Sequence, residues 1–87
     1  MDKEILNKVI QLVAKYADCS PSSLSANTRL NETGIESIGV AELIFDLESE
    51  YDIHIEDTDE IQNRFNLGTI GDIAKMIMSK ALEPVDD

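Results

Sequence analysis

Three stretches of this chain set apolar side chains three and four residues apart, the period of one face of a helix. The one alternating segment, Ile53-His54-Ile55, is too short for a useful strand. A chain so patterned is restricted to helices packed on each other. Ile5, Val9, Leu12, Val13 and Tyr16 predict a helix over 2–17, with Asp2 as its N-cap. Asp18-Cys19-Ser20-Pro21 breaks the pattern, because proline sits badly inside a helix. Residues 18–36 form a long connection rich in Ser, Asn and Thr, in which Leu24, Leu30 and Ile35 are expected to act as pegs into the core. Connections of this length in small domains are uncommon and often functional.

A second helix is predicted over 37–51. Asp57 and Glu60 have capping-box spacing and predict a short third helix through Phe65, stopped at Gly68. Thr69 and Asp72 repeat that spacing before Ile70, Ile73, Ala74, Ile77 and Ala81 on one face of a fourth. The expected fold is all-α, a four-helix bundle with three longer helices, one short third helix and a long loop between the first two. With 87 residues the chain suffices for a single domain, 1–87, with an ordered core over about 2–82 and a flexible acidic tail beyond Pro84. Such a core is thin and leaves room for a narrow cleft, not a deep catalytic pocket.

Charge narrows the function. Eighteen acids face seven bases, a net charge of −11. Phosphate backbones and anionic lipids are repelled by such a surface, and basic protein surfaces are attracted. No apolar run exceeds three residues, so no membrane span is expected. The first residues lack a signal-peptide pattern. Cys19 is the one cysteine, so no intramolecular disulfide can form, and a cytoplasmic setting is expected.

The second helix has two apolar stripes. Val40, Leu43, Ile44, Leu47 and Tyr51 form the core side, while Ile38, Ala41 and Phe45 fall opposite, toward water. Glu42, Asp46 and Glu50 run along the flank of the second stripe, with Glu48 on the other side. Like charges at this spacing gain nothing for an isolated helix. A partner offering an apolar notch rimmed by Arg and Lys would gain from both features, although a solvated charged face with a stray Phe also fits the pattern. Ser37 lies where the loop turns into this helix. It is a good N-cap residue, and a helix start also favours a phosphate.

The stretch Leu30-Asn31-Glu32-Thr33-Gly34-Ile35-Glu36-Ser37-Ile38 resembles the loop-and-serine signature of the acyl carrier protein family. Glu42 through Ile53 is similar to that family's acidic second helix, and Thr69-Ile70-Gly71-Asp72-Ile73 to the start of its last helix. The resemblance implies a non-enzymatic carrier whose Ser37 bears covalent 4′-phosphopantetheine, transferred from coenzyme A by a phosphopantetheinyl transferase. It further implies a monomer that carries acyl thioesters to loading, transfer or synthase enzymes of fatty-acid, lipid or polyketide-type synthesis. Their basic patches would meet Glu36, Ile38, Ala41, Glu42, Phe45, Asp46 and Glu48. Ile44, Leu47, Tyr51, Ile55, Ile61 and Ile73 would line a closable acyl cleft, with Ala41, Ala74, Met76 and Met78 leaving it adaptable. Glu36 replaces the family's usual aspartate, Ile38 its leucine and Gly39 a frequent acid, and the segment 55–69 is longer. These differences point to a specialised stand-alone member.

Other readings carry less. A D-alanyl or peptidyl carrier would use the same arm, but the Gly-Gly-x-Ser pattern of peptide carriers is missing. An unmodified acidic adaptor fits the charge alone. A triad of Ser37, His54 and an aspartate lacks any oxyanion-hole motif, and His54 is expected in solvent. Asp18 beside Cys19 would raise the thiol pKa, leaving a half-buried small hydrophobe rather than a nucleophile. Asp52, Glu56, Asp57, Asp59 and Glu60 lack the spacing of a calcium loop and are expected to form a solvated turn, with no metal site.

Overall fold

The computed structural model describes residues 3–56 and 58–81. Four α-helices form among them: α1 (Lys3–Ala17), α2 (Ser37–Tyr51), α3 (Asp59–Leu67) and α4 (Ile70–Ala81). The fold is the expected all-helical bundle, with α1 against both α2 and α4, and α3 against α2. One apolar cluster holds it together. α1 contributes Ile5, Val9 and Val13, α2 contributes Val40, Leu43, Ile44 and Leu47, α3 contributes Phe65, and α4 contributes Ile70, Ile73, Ala74 and Ile77. The sets from α1, α2 and α4 recur at helical spacing, so each of these helices buries one stripe, while α3 is anchored by Phe65. Leu12 and Tyr16 are half-buried at the edge of the α1 stripe, and Ala14 is buried within it.

The helix ends differ in instructive ways from the sequence reading. Asp2, Asp57 and Pro84 lie outside the described residues, as does the acidic tail. α3 is capped by Thr58, whose hydroxyl accepts the Ile61 N–H, and it runs to Leu67, two residues past Phe65. Threonine is a good cap residue, though aspartate ranks above it, and spacing alone does not choose between such neighbours. Gly68 closes α3 as expected, but with an extended backbone and not a left-handed one. At α4 the capping box forms in full. Thr69 N–H donates to Asp72 Oδ2 at 3.0 Å, and Asp72 N–H donates to Thr69 Oγ1 at 3.1 Å.

The long loop is an ordered wall. It contains two single 3₁₀ turns, Pro21–Ser23 and Leu30–Glu32. Leu30 is fully buried, and Leu24 and Ile35 pack half-buried against the cluster, so all three act as pegs. The loop is also stitched to the α3–α4 junction through the backbone. Leu30 N–H donates to the Gly68 carbonyl, Ile70 N–H to that of Thr28 and Gly71 N–H to that of Ala26, at 3.0, 2.9 and 2.8 Å.

Gly39 has a packing reason. A Cβ there would sit 2.8 Å from Ile35 Cγ1 and 3.5 Å from Tyr16 Cβ. The first turn of α2 is thus pressed against the loop and α1, and only glycine permits that approach. Gly39→Ala should destabilise the bundle by about 1 kcal/mol, an overpacking cost of about 1–3 kcal/mol partly offset by alanine's better helix propensity. Urea denaturation would show a lower midpoint at unchanged slope.

Candidate functional site

Ser37 is the first residue of α2, and Glu36 occupies the N-cap position without a side-chain cap bond. Ser37 is therefore not the ordinary N-cap that its residue type also suggested. Its side chain is exposed, and among the described residues no hydrogen bond engages its hydroxyl. The loop delivers it through a tight approach. Thr33 Oγ1 donates to the Leu30 carbonyl at 2.7 Å, and Gly34 turns the chain at φ +88°, a conformation that suits glycine. Val40 N–H makes the first helical bond, to the Glu36 carbonyl. The N–H groups before Val40 have no carbonyl partner within the helix, and those of the exposed Ser37 and Ile38 lie at its positive end, where a phosphate is favoured.

On the outer side of α2, Ile38 and Phe45 are each 70% exposed, Ala41 is half-buried between them, and Glu36 and Glu42 are exposed. The other acids are committed elsewhere. Asp46 accepts a hydrogen bond from the Tyr16 hydroxyl of α1. Glu48 Oε2 accepts the Ile55 N–H at 2.8 Å and lies 3.4 Å from Nδ1 of the exposed His54. Glu50 pairs with Lys8 at 3.6 Å. The open surface is thus an apolar pair flanked by two carboxylates that make no hydrogen bond or ion pair among the described residues.

Tyr16 gave no functional signal in the sequence, since its partner is thirty residues away. Its hydroxyl pKa is pushed up to about 12, first by the hydrogen bond to Asp46, then by burial and by the charges of Asp46 and Glu42. The folded state therefore favours the protonated phenol. Its contribution to stability is complete below the ordinary tyrosine pKa of about 10 and is lost as pH rises through about 12. Tyr16→Phe should cost about 1 kcal/mol at pH 7. It should also flatten the fall in urea midpoint between pH 10 and 12 relative to the unaltered chain.

A cavity of about 220 Å³ opens between α3 and α4. Ile61, Phe65, Ile73 and Met76 form its apolar lining, and Arg64, Gly68 and Asp72 complete it. Of the six residues expected in an acyl cleft, Ile61 and Ile73 lie here. Ile44, Leu47 and Ile55 are buried in the core cluster, and Tyr51 packs half-buried against it. Arg64 and Phe65 follow Ile61 at helical spacing, a signal that could have drawn them in. Asp72 lies below the ordinary carboxylate pKa, chiefly through its hydrogen bonds with Thr69, with the Lys75 and Arg29 charges adding to them. Cys19 is half-buried, and the described residues contain no group of acids, His and Cys arranged to hold a metal ion.

The site is thus an exposed serine that opens an acidic helix in a small four-helix bundle. The sequence profile of the phosphopantetheine attachment site family matches residues 7–77. An acyl carrier protein of Lactobacillus acidophilus is 33% identical over 79 residues, which cover 90% of this chain and 94% of the relative. One from an Exiguobacterium species is 33% identical over 90% of this chain and 95% of its own. One from Thermotoga maritima is 27% identical over 90% and 93%. No solved structure gives a significant match. The chain belongs to the acyl carrier protein family. It is a carrier and not an enzyme, and its prosthetic group is covalent 4′-phosphopantetheine. No described helix is long and apolar enough to cross a membrane.

Proposed function

We propose that Ser37 is the attachment point of the phosphopantetheine arm, and that the chain delivers acyl groups to enzymes of fatty-acid, lipid or polyketide-type synthesis. The observation that carries this reading is the Ser37 hydroxyl, exposed at the first residue of α2 and unengaged among the described residues. Inside a phosphopantetheinyl transferase, Ser37 Oγ attacks the phosphorus of coenzyme A that bears the pantetheine. A phosphodiester forms at Oγ, adenosine bisphosphate leaves with the electron pair of the broken P–O bond, and the hydroxyl proton passes to a base of the transferase. The arm supplies a thiol that holds the cargo as a thioester.

The protein's own residues then present and shelter that cargo. Ile38, Ala41 and Phe45 offer apolar contact to a partner, and Glu36 and Glu42 steer its basic patch. Asp46 and Glu48 act mainly by fixing α2, through Tyr16 and Ile55. We place this work in the reducing cytoplasm, by a monomeric single-domain chain whose one cysteine needs no partner.

Intact mass of the protein purified from its own host tests the reading. One phosphopantetheine, with or without an acyl load, is the expected gain. An aminoacyl load would reassign the cargo class, and an unmodified chain would leave only an acidic adaptor.

A further inference from the structure

In a chain with seven bases against eighteen acids, most of the surface repels anions. One place differs. Arg64 and Asp72 both line the cavity between α3 and α4. Arg29, from the long loop, and Lys75, one turn along α4, both bring their charge to bear on that same aspartate. Two bases therefore act on one acid, a third stands on the wall of the same cavity, and the acid is already engaged in capping α4, where it accepts the Thr69 N–H at 3.0 Å. Arg64 is exposed, and among the described residues no hydrogen bond or ion pair engages its guanidinium. Below it the lining turns apolar, with Ile61 and Phe65 on α3 facing Ile73 and Met76 on α4.

A site with an apolar lining and a free planar cation at its rim suits an amphiphile with an anionic end. A wholly apolar chain would gain from the lining but leave the guanidinium as it was. A chain ending in a carboxylate gains both, since the fork of Arg matches a carboxylate with two parallel N–H···O bonds. We propose, resting on the carrier reading above, that this cavity selects an acyl cargo ending in a carboxylate, the half-thioester of a dicarboxylic acid, with its methylenes on Ile61, Phe65, Ile73 and Met76 and its carboxylate on Arg64.

The test uses the arm-bearing protein loaded with two acyl groups of equal carbon count, one ending in methyl and one in carboxylate. NMR spectra follow the Arg64 side-chain N–H, the Ile61 and Ile73 methyls and the cargo's terminal carbon from pH 4 to 7. The carboxylate-ended cargo should shift the Arg64 signal. Its terminal carboxyl should titrate about 0.5 lower in pKa than on the free acyl-pantetheine, the size expected for a solvent-screened pair. Arg64→Gln should erase that lowering and leave the spectrum of the methyl-ended form in place. Equal titration on and off the protein, or an Arg64 signal moved as far by the methyl-ended cargo, overturns the proposal. The unaltered protein decides between these outcomes even if Arg64→Gln folds poorly. Mass spectrometry before loading separates the two levels. A chain that takes no arm defeats the carrier reading itself, whereas an armed chain without the lowering defeats only this choice of cargo.

Discussion

Ser37→Ala should remain folded and gain no mass when incubated with coenzyme A and a phosphopantetheinyl transferase, while the unaltered chain gains one phosphopantetheine. Folding should be spared because the hydroxyl is exposed, makes no hydrogen bond among the described residues and is not the cap of α2. Removing an unengaged surface oxygen at the first helical residue changes stability by no more than about 0.5 kcal/mol. The loss of modification should be complete, because no other group stands in for a missing nucleophilic oxygen. Intact mass reads the modification and circular dichroism reads the fold. A Ser37→Ala chain that still gains the arm would place the attachment elsewhere.

The second large effect concerns the loop. Leu30 is fully buried, and its N–H donates to the Gly68 carbonyl. Leu30→Ala should cost about 2–4 kcal/mol by loss of burial and the cavity left behind. That is a large part of the roughly 5–15 kcal/mol that holds a small domain folded. The damage should reach function before global unfolding, since Leu30 anchors the segment leading through Gly34 to Ser37. Denaturation would show a lowered midpoint, and the rate of arm transfer should fall under conditions where the bundle is still folded. Transfer at the unaltered rate by a folded Leu30→Ala chain would mean that the loop's anchoring has no part in presenting the serine.

The helices α1, α2 and α4 could be read from the sequence because each buries one stripe at its natural period. Val40, Leu43, Ile44 and Leu47 were identified from spacing alone, as were the exposed Ile38 and Phe45 opposite them. The pegs Leu24, Leu30 and Ile35 were legible for a related reason: isolated apolar residues in a polar loop have few places to go but inward. What spacing could not supply was pairing between distant segments. The Tyr16–Asp46 bond, the capture of Glu48 by the Ile55 N–H and the backbone seam from the loop to α4 join residues whose separation in sequence carries no periodic signal. Two of the acids offered to a partner by sequence are for that reason occupied within the molecule. By propensity a glycine weakens a helical turn, and only the nearness of Ile35 and Tyr16 shows why a side chain is excluded at Gly39. An amphipathic stripe says which residues face inward, but not between which helices a gap is left, so spacing alone does not locate the cavity at Ile61 and Ile73.

The seam between the long loop and the last two helices is made by peptide groups, at Ala26, Thr28 and Leu30 on one side and Gly68, Ile70 and Gly71 on the other. Main-chain atoms are the same in every residue type except for the proline nitrogen. The exposed letters of the outer loop that make no side-chain bond are therefore free to drift, at Asn27 for example, while the path of the chain stays put. Divergence can repaint this side of the molecule for new neighbours without moving the serine that the path leads to.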